Sequence, residues 1–149
     1  MISLARESFN PALLAELRPL ILANHEATGS DAPLDPNWDT IAHLGDGGAM
    51  ALVVARHNDR AVGYAAQVMQ IHHLYGERWA QCLAIYLLPA YRRHFRALAD
   101  EMARLARGDG ASVVSYNLPV GTNMVGFSRL GYWAREITMT KRLQSSGDG

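Results

Sequence analysis

A chain of 149 residues has room for one domain with a substantial core, and too little for two of ordinary size. Nearly half of its residues are apolar and its formal net charge is zero, which excludes a protein held to nucleic acid or membrane by bulk charge. No apolar run approaches the length of a bilayer and no basic, then hydrophobic, leader opens the chain, so neither a span nor a secretory signal is expected. Cys82, the single cysteine, can form no internal disulfide, which suits a reducing cytoplasm.

Met1–Arg6 reads as a short first strand. Asn10 then supplies an N-cap and Pro11 the favoured first helical position, ahead of Leu13, Leu14, Leu17, Leu20 and Ile21 at helical spacing. Pro19 predicts a kink or early break, and His25–Asn37 is turn chemistry, rich in Gly, Pro, Ser and Asp. A short helix follows over Trp38–Leu44. Ala49–His57, Ala61–His73 and Trp79–Leu88 form a three-strand antiparallel meander, turned at Asn58-Asp59-Arg60 and at Tyr75-Gly76-Glu77. The helix Phe95–Arg107 stops at Gly108. Ala111–Tyr116 is a short buried-type strand, Thr122–Leu130 a short helix, and Tyr132–Leu143 a last strand; the tail 144–149 is expected to be disordered.

The stretch LLPAYRRHFRALADEM, Leu87–Met102, sets Arg92, Arg93, His94 and Arg96 at the start of a helix. That end already carries partial positive charge, so a basic cluster there conflicts with the backbone unless an anion joins it. Read as charge alone, the cluster is a solvated face, with Arg96 pairing with Asp100 one turn on. His72, His73, His94 and Cys82 lack zinc-site spacing, so no metal site is expected.

Two motifs carry a resemblance. LLPAYRRHFRALA resembles the pyrophosphate-binding signature of the GNAT superfamily of acyl-CoA-dependent N-acyltransferases: Pro, a nearby Arg, then R/Q-x-x-G-x-G/A opening a helix. FSRLGYWAREITMTKRL is similar to the superfamily's C-terminal pattern of an aromatic, Leu-Gly-aromatic and a final strand. The wording of both motifs, with His-His-Leu-Tyr at the third strand's end, also resembles compact GNAT-like proteins encoded by bacteriophages. The resemblance implies one α/β (α+β) domain over 1–143. Its mixed, mostly antiparallel sheet would have about six strands, with helices on both faces and a splay between the fourth and fifth strands.

It implies acetyl-CoA as acyl donor and a primary amine as acceptor, attacked directly without a covalent enzyme intermediate. Arg92 and Arg93 would meet the diphosphate, with His94, Phe95, Arg96 and Ala97 lending backbone N–H groups. Tyr86, Leu87 and Leu88 would bind the pantetheine arm through the strand backbone, with Asn117 and Phe127 alongside. Arg93 or Phe95, and then Ala97 or Ala99, stand where the signature has glycines, depending on register, which predicts a weaker or rerouted phosphate loop. QCLAIYLL carries no carboxylate, so His72, His73 and Glu77 are the candidates for a base, only one of the two histidines facing the cleft. Phe127 falls where many such enzymes have a tyrosine, which leaves Ser128, Tyr116 or water to protonate the departing sulfur. The acceptor, expected against His25–Asn37, Trp38–Leu44 and His72–Glu77, is a small molecule, a protein or a modified nucleobase. A homodimer is compatible with the pattern. The same departures also fit a second reading: a module with reduced catalysis that binds acyl-CoA or a protein or nucleic-acid partner.

Overall fold

The computed structural model describes residues 1–29, 32–119, 121–135, 138–141 and 143. Elements run β1 (Ser3–Glu7), α1 (Pro11–Thr28), α2 (Trp38–Asp46), β2 (Met50–His57), β3 (Arg60–Ile71) and β4 (Arg78–Leu87). A 3-10 turn (Pro89–His94) leads into α3 (Phe95–Gly108), followed by β5 (Val113–Tyr116) and α4 (Val125–Arg129). The five strands form one sheet in the order β1-β2-β3-β4-β5, antiparallel except for the parallel pair β4–β5.

Local chemistry explains most of these boundaries. The Asn10 side chain accepts a hydrogen bond from the Leu13 N–H, and Pro11 follows in the first helical position. Asn58 and Asp59 both have positive φ, 49° and 62°, the left-handed pair that matches a two-residue hairpin turn to strand twist. Alternation along β2 sends Leu52 and Val54 to one face and Val53 and Ala55 to the other. The first face is covered by Leu13, Leu17 and Leu20 of α1, the second by Leu98 and Met102 of α3. Arg56 ties the edge together: its guanidinium meets both oxygens of Glu7 (2.7 and 3.0 Å) and of Glu16 (2.7 and 2.9 Å), joining β2 to β1 and α1.

Two expectations are corrected. Pro19 does not end its helix: α1 continues to Thr28, so residues 25–28 of the expected turn segment are helical, and Gly29 caps it in the left-handed conformation at φ 65°. Burial of Leu17 and Leu20 on either side of the proline outweighs one lost backbone bond. The last strand is not formed over the described part of Tyr132–Leu143, so the sheet has five strands among the described residues. Residue periodicity marks a segment able to pair but supplies no partner edge. Residues 136, 137, 142 and the tail 144–149 lie outside the described residues.

Candidate active site

The site begins with a defect in strand pairing. Ala66 pairs with Ala84 and Gln67 with Cys82, so Leu83 is an extra residue, a β-bulge in β4. On the opposite edge β5 pairs with β4 only from Trp79 to Cys82. From Leu83 to Leu87 that edge has no partner strand among the described residues. The two strands therefore part at the bulge, which is the splay expected between the fourth and fifth strands.

A cavity of about 310 Å³ lies beside this free edge, lined by Ala27, Ile85, Tyr86, Leu87, Arg92 and Phe95. Successive strand residues point to opposite faces, so three consecutive residues can line one cavity only if it runs along the strand's edge. The lining is mostly apolar, Ile85, Leu87 and Phe95 among it, and the unpaired strand edge adds backbone N–H and C=O groups that suit an extended ligand with amide groups. Arg92 stands at the mouth. The structure thus brings together Tyr86, Leu87, Arg92 and Phe95, with Leu88 continuing the strand through its N–H bond to the Val62 carbonyl (2.9 Å).

The other expected donor-site residues distribute as follows. Arg93 Nε donates to His94 Nε2 at 3.2 Å. Arg96 reaches Asp100 at 3.7 Å with both side chains largely exposed, the solvated pair that charge alone suggested. Ala97 is exposed on the first turn of α3. The Phe95 N–H is bonded to the Arg92 carbonyl because the 3-10 turn passes directly into α3, so this group is not free for an anion. The Phe95 ring instead packs edge-on against Phe127 (centroids 5.4 Å). Phe127 also meets Tyr116 (5.1 Å) and Tyr132 (5.8 Å), making an aromatic cluster that joins the start of α3 and α4 to the end of β5. Asn117, one residue past β5, and Ser128, on α4, are exposed.

His72, His73 and Glu77 sit at the β3–β4 hairpin, where the His72 N–H bonds the Glu77 carbonyl (2.8 Å). Six residues separate Glu77 from Leu83, ~20 Å along a strand, so the hairpin lies at the far end of β4 from Arg92. His73 is exposed. His72 is stacked on Tyr75 (centroids 4.5 Å), and its Nδ1 accepts from the Leu74 N–H at 3.3 Å. Glu77 Oε2 accepts from Trp79 Nε1 at 3.1 Å.

Sequence reasoning missed three polar side chains around the bulge. Gln67 is fully buried, its Nε2 donating to the Met102 carbonyl at 3.3 Å while its Oε1 has no partner among the described residues. Gln81 accepts from Ser115 Oγ at 3.0 Å, leaving a buried Nε2 without a partner among the described residues. The Tyr116 hydroxyl is buried on the side of Tyr132 (ring centroids 5.2 Å), and burial raises its pKa well above the ordinary phenol range. Gln67 and Tyr116 share the Cys82 row and one face of the sheet, whereas Gln81, one residue earlier on β4, points to the other, so the buried polar groups flank the bulge on both faces. A glutamine in a strand gives no sequence signal of this kind. Burial also pushes the Cys82 thiol up to about 12, which removes it as a nucleophile. Among the described residues no three His, Cys, Asp or Glu side chains gather as metal ligands, and no helix is long and apolar enough to cross a membrane.

Solved structures share this architecture. A Trypanosoma brucei acetyltransferase is 21% identical with TM-score 0.70, the match covering 96% of this chain and 100% of that one. A ribosomal-protein-alanine N-acetyltransferase from Brucella melitensis biovar Abortus 2308 is 20% identical with TM-score 0.70, over 96% and 100%. A predicted acetyltransferase from Clostridium acetobutylicum, solved with acetyl-CoA, is 13% identical with TM-score 0.76, over 95% and 96%. No family model and no curated protein sequence matches the chain. At these identities the likeness is one of fold: the chain has the α/β fold of these acetyltransferases, as the resemblance to the GNAT superfamily implied. The resemblance to phage-encoded proteins gains no support from these sources.

Proposed function

We propose that the protein transfers an acetyl group from acetyl-CoA to an amine by direct attack. The observation that carries this reading is the unpaired β4 edge from Leu83 to Leu87, opening on a cavity with Arg92 at its mouth. A pantetheine arm has the amides that such an edge binds, and a diphosphate has the charge that Arg92 and Arg93 would neutralise.

Acetyl-CoA would supply the activated acyl group. The chain's own contribution is positional. Leu83, displaced from the ladder by the bulge, offers backbone N–H density where a thioester oxygen would develop charge. A thiolate with pKa of roughly 8.5 leaves without compulsory protonation, so the missing phenol at Phe127 is tolerable; Tyr116 is the hydroxyl nearest the bulge in sheet register. The hairpin residues His72 and Glu77 lie too far along β4 to take the proton directly, so in this reading the base is water and the hairpin serves the acceptor. A cytoplasmic setting suits the free Cys82 thiol.

The test is thiol release from acetyl-CoA over a panel of primary amines. Saturable release that needs both substrates supports the reading. Acetyl-CoA binding without turnover on any amine would replace it with a non-catalytic acyl-CoA module.

A further inference from the structure

The β3–β4 hairpin holds an aromatic cluster that already contains a cation. The Arg135 guanidinium carbon sits 4.7 Å from the Trp79 ring centroid and 5.9 Å from that of Tyr75. His72 completes the ring wall, 5.2 Å from Trp79 and 4.5 Å from Tyr75. Glu77 places a carboxylate at its rim through the Trp79 Nε1 bond. Arg135 itself is exposed and makes no salt bridge among the described residues, where the rings are its partners, an interaction of the weak, replaceable kind.

Strand alternation ties this cluster to the bulge. Trp79 and Gln81 share one face of β4, with Glu77 just ahead of the strand held to Trp79, while Arg78 on the other face donates to the Asp109 carbonyl at the end of α3 (3.1 Å). A carboxylate, an indole face and a buried amide N–H, unpartnered among the described residues, therefore run in sequence from the hairpin toward Leu83. The cavity with Arg92 approaches Leu83 from the opposite end. Donor and acceptor would thus enter along one strand from its two ends.

The geometry points to an acceptor that carries a second cationic group, bound on Trp79 and Tyr75 in the place Arg135 holds. This assignment rests on the acyltransfer reading for the position of the reacting amine. Trp79 lies four residues from Leu83, so the two nitrogens of the acceptor would be ~13 Å apart. The acceptor class is then a polycationic amine, whether a free polyamine or a basic peptide, rather than a neutral amine or a nucleobase. Arg135 competes with it for the rings, and Gln81 offers its free N–H to an oxygen on the way.

Nonamethylenediamine, whose extended nitrogens stand ~13 Å apart, and nonylamine, with the same carbon chain and one nitrogen fewer, test this directly. The diamine should show a KM lower by about fivefold, and Arg135→Gln should lower it a further two- to fivefold with kcat and the nonylamine KM unchanged. A lysine-containing peptide run alongside separates the two sources by which gives the lower KM. Tryptophan fluorescence reads the cage without turnover: the diamine should titrate the wild type, bind more tightly to Arg135→Gln, and lose affinity in Tyr75→Leu, an exposed position where folding is not at stake. Equal KM values for diamine and monoamine, or fluorescence titrations unmoved by Arg135→Gln, would overturn the assignment. Diamine binding to the cage without acetyl-CoA binding would uphold the cation site and defeat acyltransfer alone.

Discussion

Replacing Gly63 by alanine should weaken the protein at the wall of its cavity. A Cβ at Gly63 would stand 2.5 Å from the Tyr86 carbonyl oxygen and 2.5 Å from Leu87 Cδ2. Ordinary contact begins near 3.4 Å, so β3 and β4 must separate by about 0.9 Å, and the Tyr86 side of the clash is backbone that cannot rotate away. Overpacking of this kind costs about 1–3 kcal/mol. For a domain of this size each kcal/mol lowers Tm by about 2–4 °C, so calorimetry should show a fall of roughly 2–12 °C. Tyr86 and Leu87 also line the cavity, so acetyl-CoA affinity should fall in parallel. Gly108→Ala, where the added carbon meets nothing within 4 Å, is the control and should leave Tm unchanged or slightly raised. An unaltered Tm for Gly63→Ala would refute the packing of β3 on β4 from which the cavity is built.

Pro19→Ala should stabilise the protein by about 1–3 kcal/mol in urea unfolding, because it restores an N–H inside α1 at an exposed position; a destabilised variant would show that the proline's ring is needed. The hydrogen bond from Arg56 holds the Glu16 carboxyl below its ordinary pKa, so the native state binds fewer protons than the unfolded chain in that range. Stability from this pair is present above the ordinary glutamate range and is lost as pH falls through the lowered value; Glu16→Gln should flatten the acid limb of Tm against pH. Cys82, with its pKa pushed up to about 12, should resist a maleimide at pH 8 in the native state and react on unfolding. The same shift makes stability fall as pH rises above the ordinary thiol value, because there the unfolded chain loses a proton that the native chain keeps.

Much of this fold was legible because local rules and global packing agree. Asn10-Pro11, Asn58-Asp59 and Gly76 mark real boundaries, and the meander follows from apolar runs joined by short turns. Pro19 misled because propensity is local, while α1 is held by Leu13, Leu17 and Leu20 against the sheet. That error also hid Ala27, which lines the cavity from a turn of helix that was expected to be loop. The bulge at Leu83 was illegible: QCLAIYLL alternates well enough in either register, and only the pairing of β3 with β4 reveals the extra residue. Of the candidate site, Tyr86, Leu87, Arg92 and Phe95 meet at one cavity, whereas the histidines gather at the hairpin with Trp79 and Arg135. Spacing along the chain could name these groups but not the end of β4 each occupies.

The central claim is that the free edge of β4 and the arginine at its mouth receive an acyl-CoA. Isothermal titration of acetyl-CoA into the wild type and Arg92→Ala tests it most directly. The account predicts one molecule bound per chain and a loss of about 10- to 150-fold in affinity for the variant, the worth of a charge-assisted phosphate contact of about 1.5–3 kcal/mol. No heat of binding to the wild type, or an affinity untouched by Arg92→Ala, would contradict it.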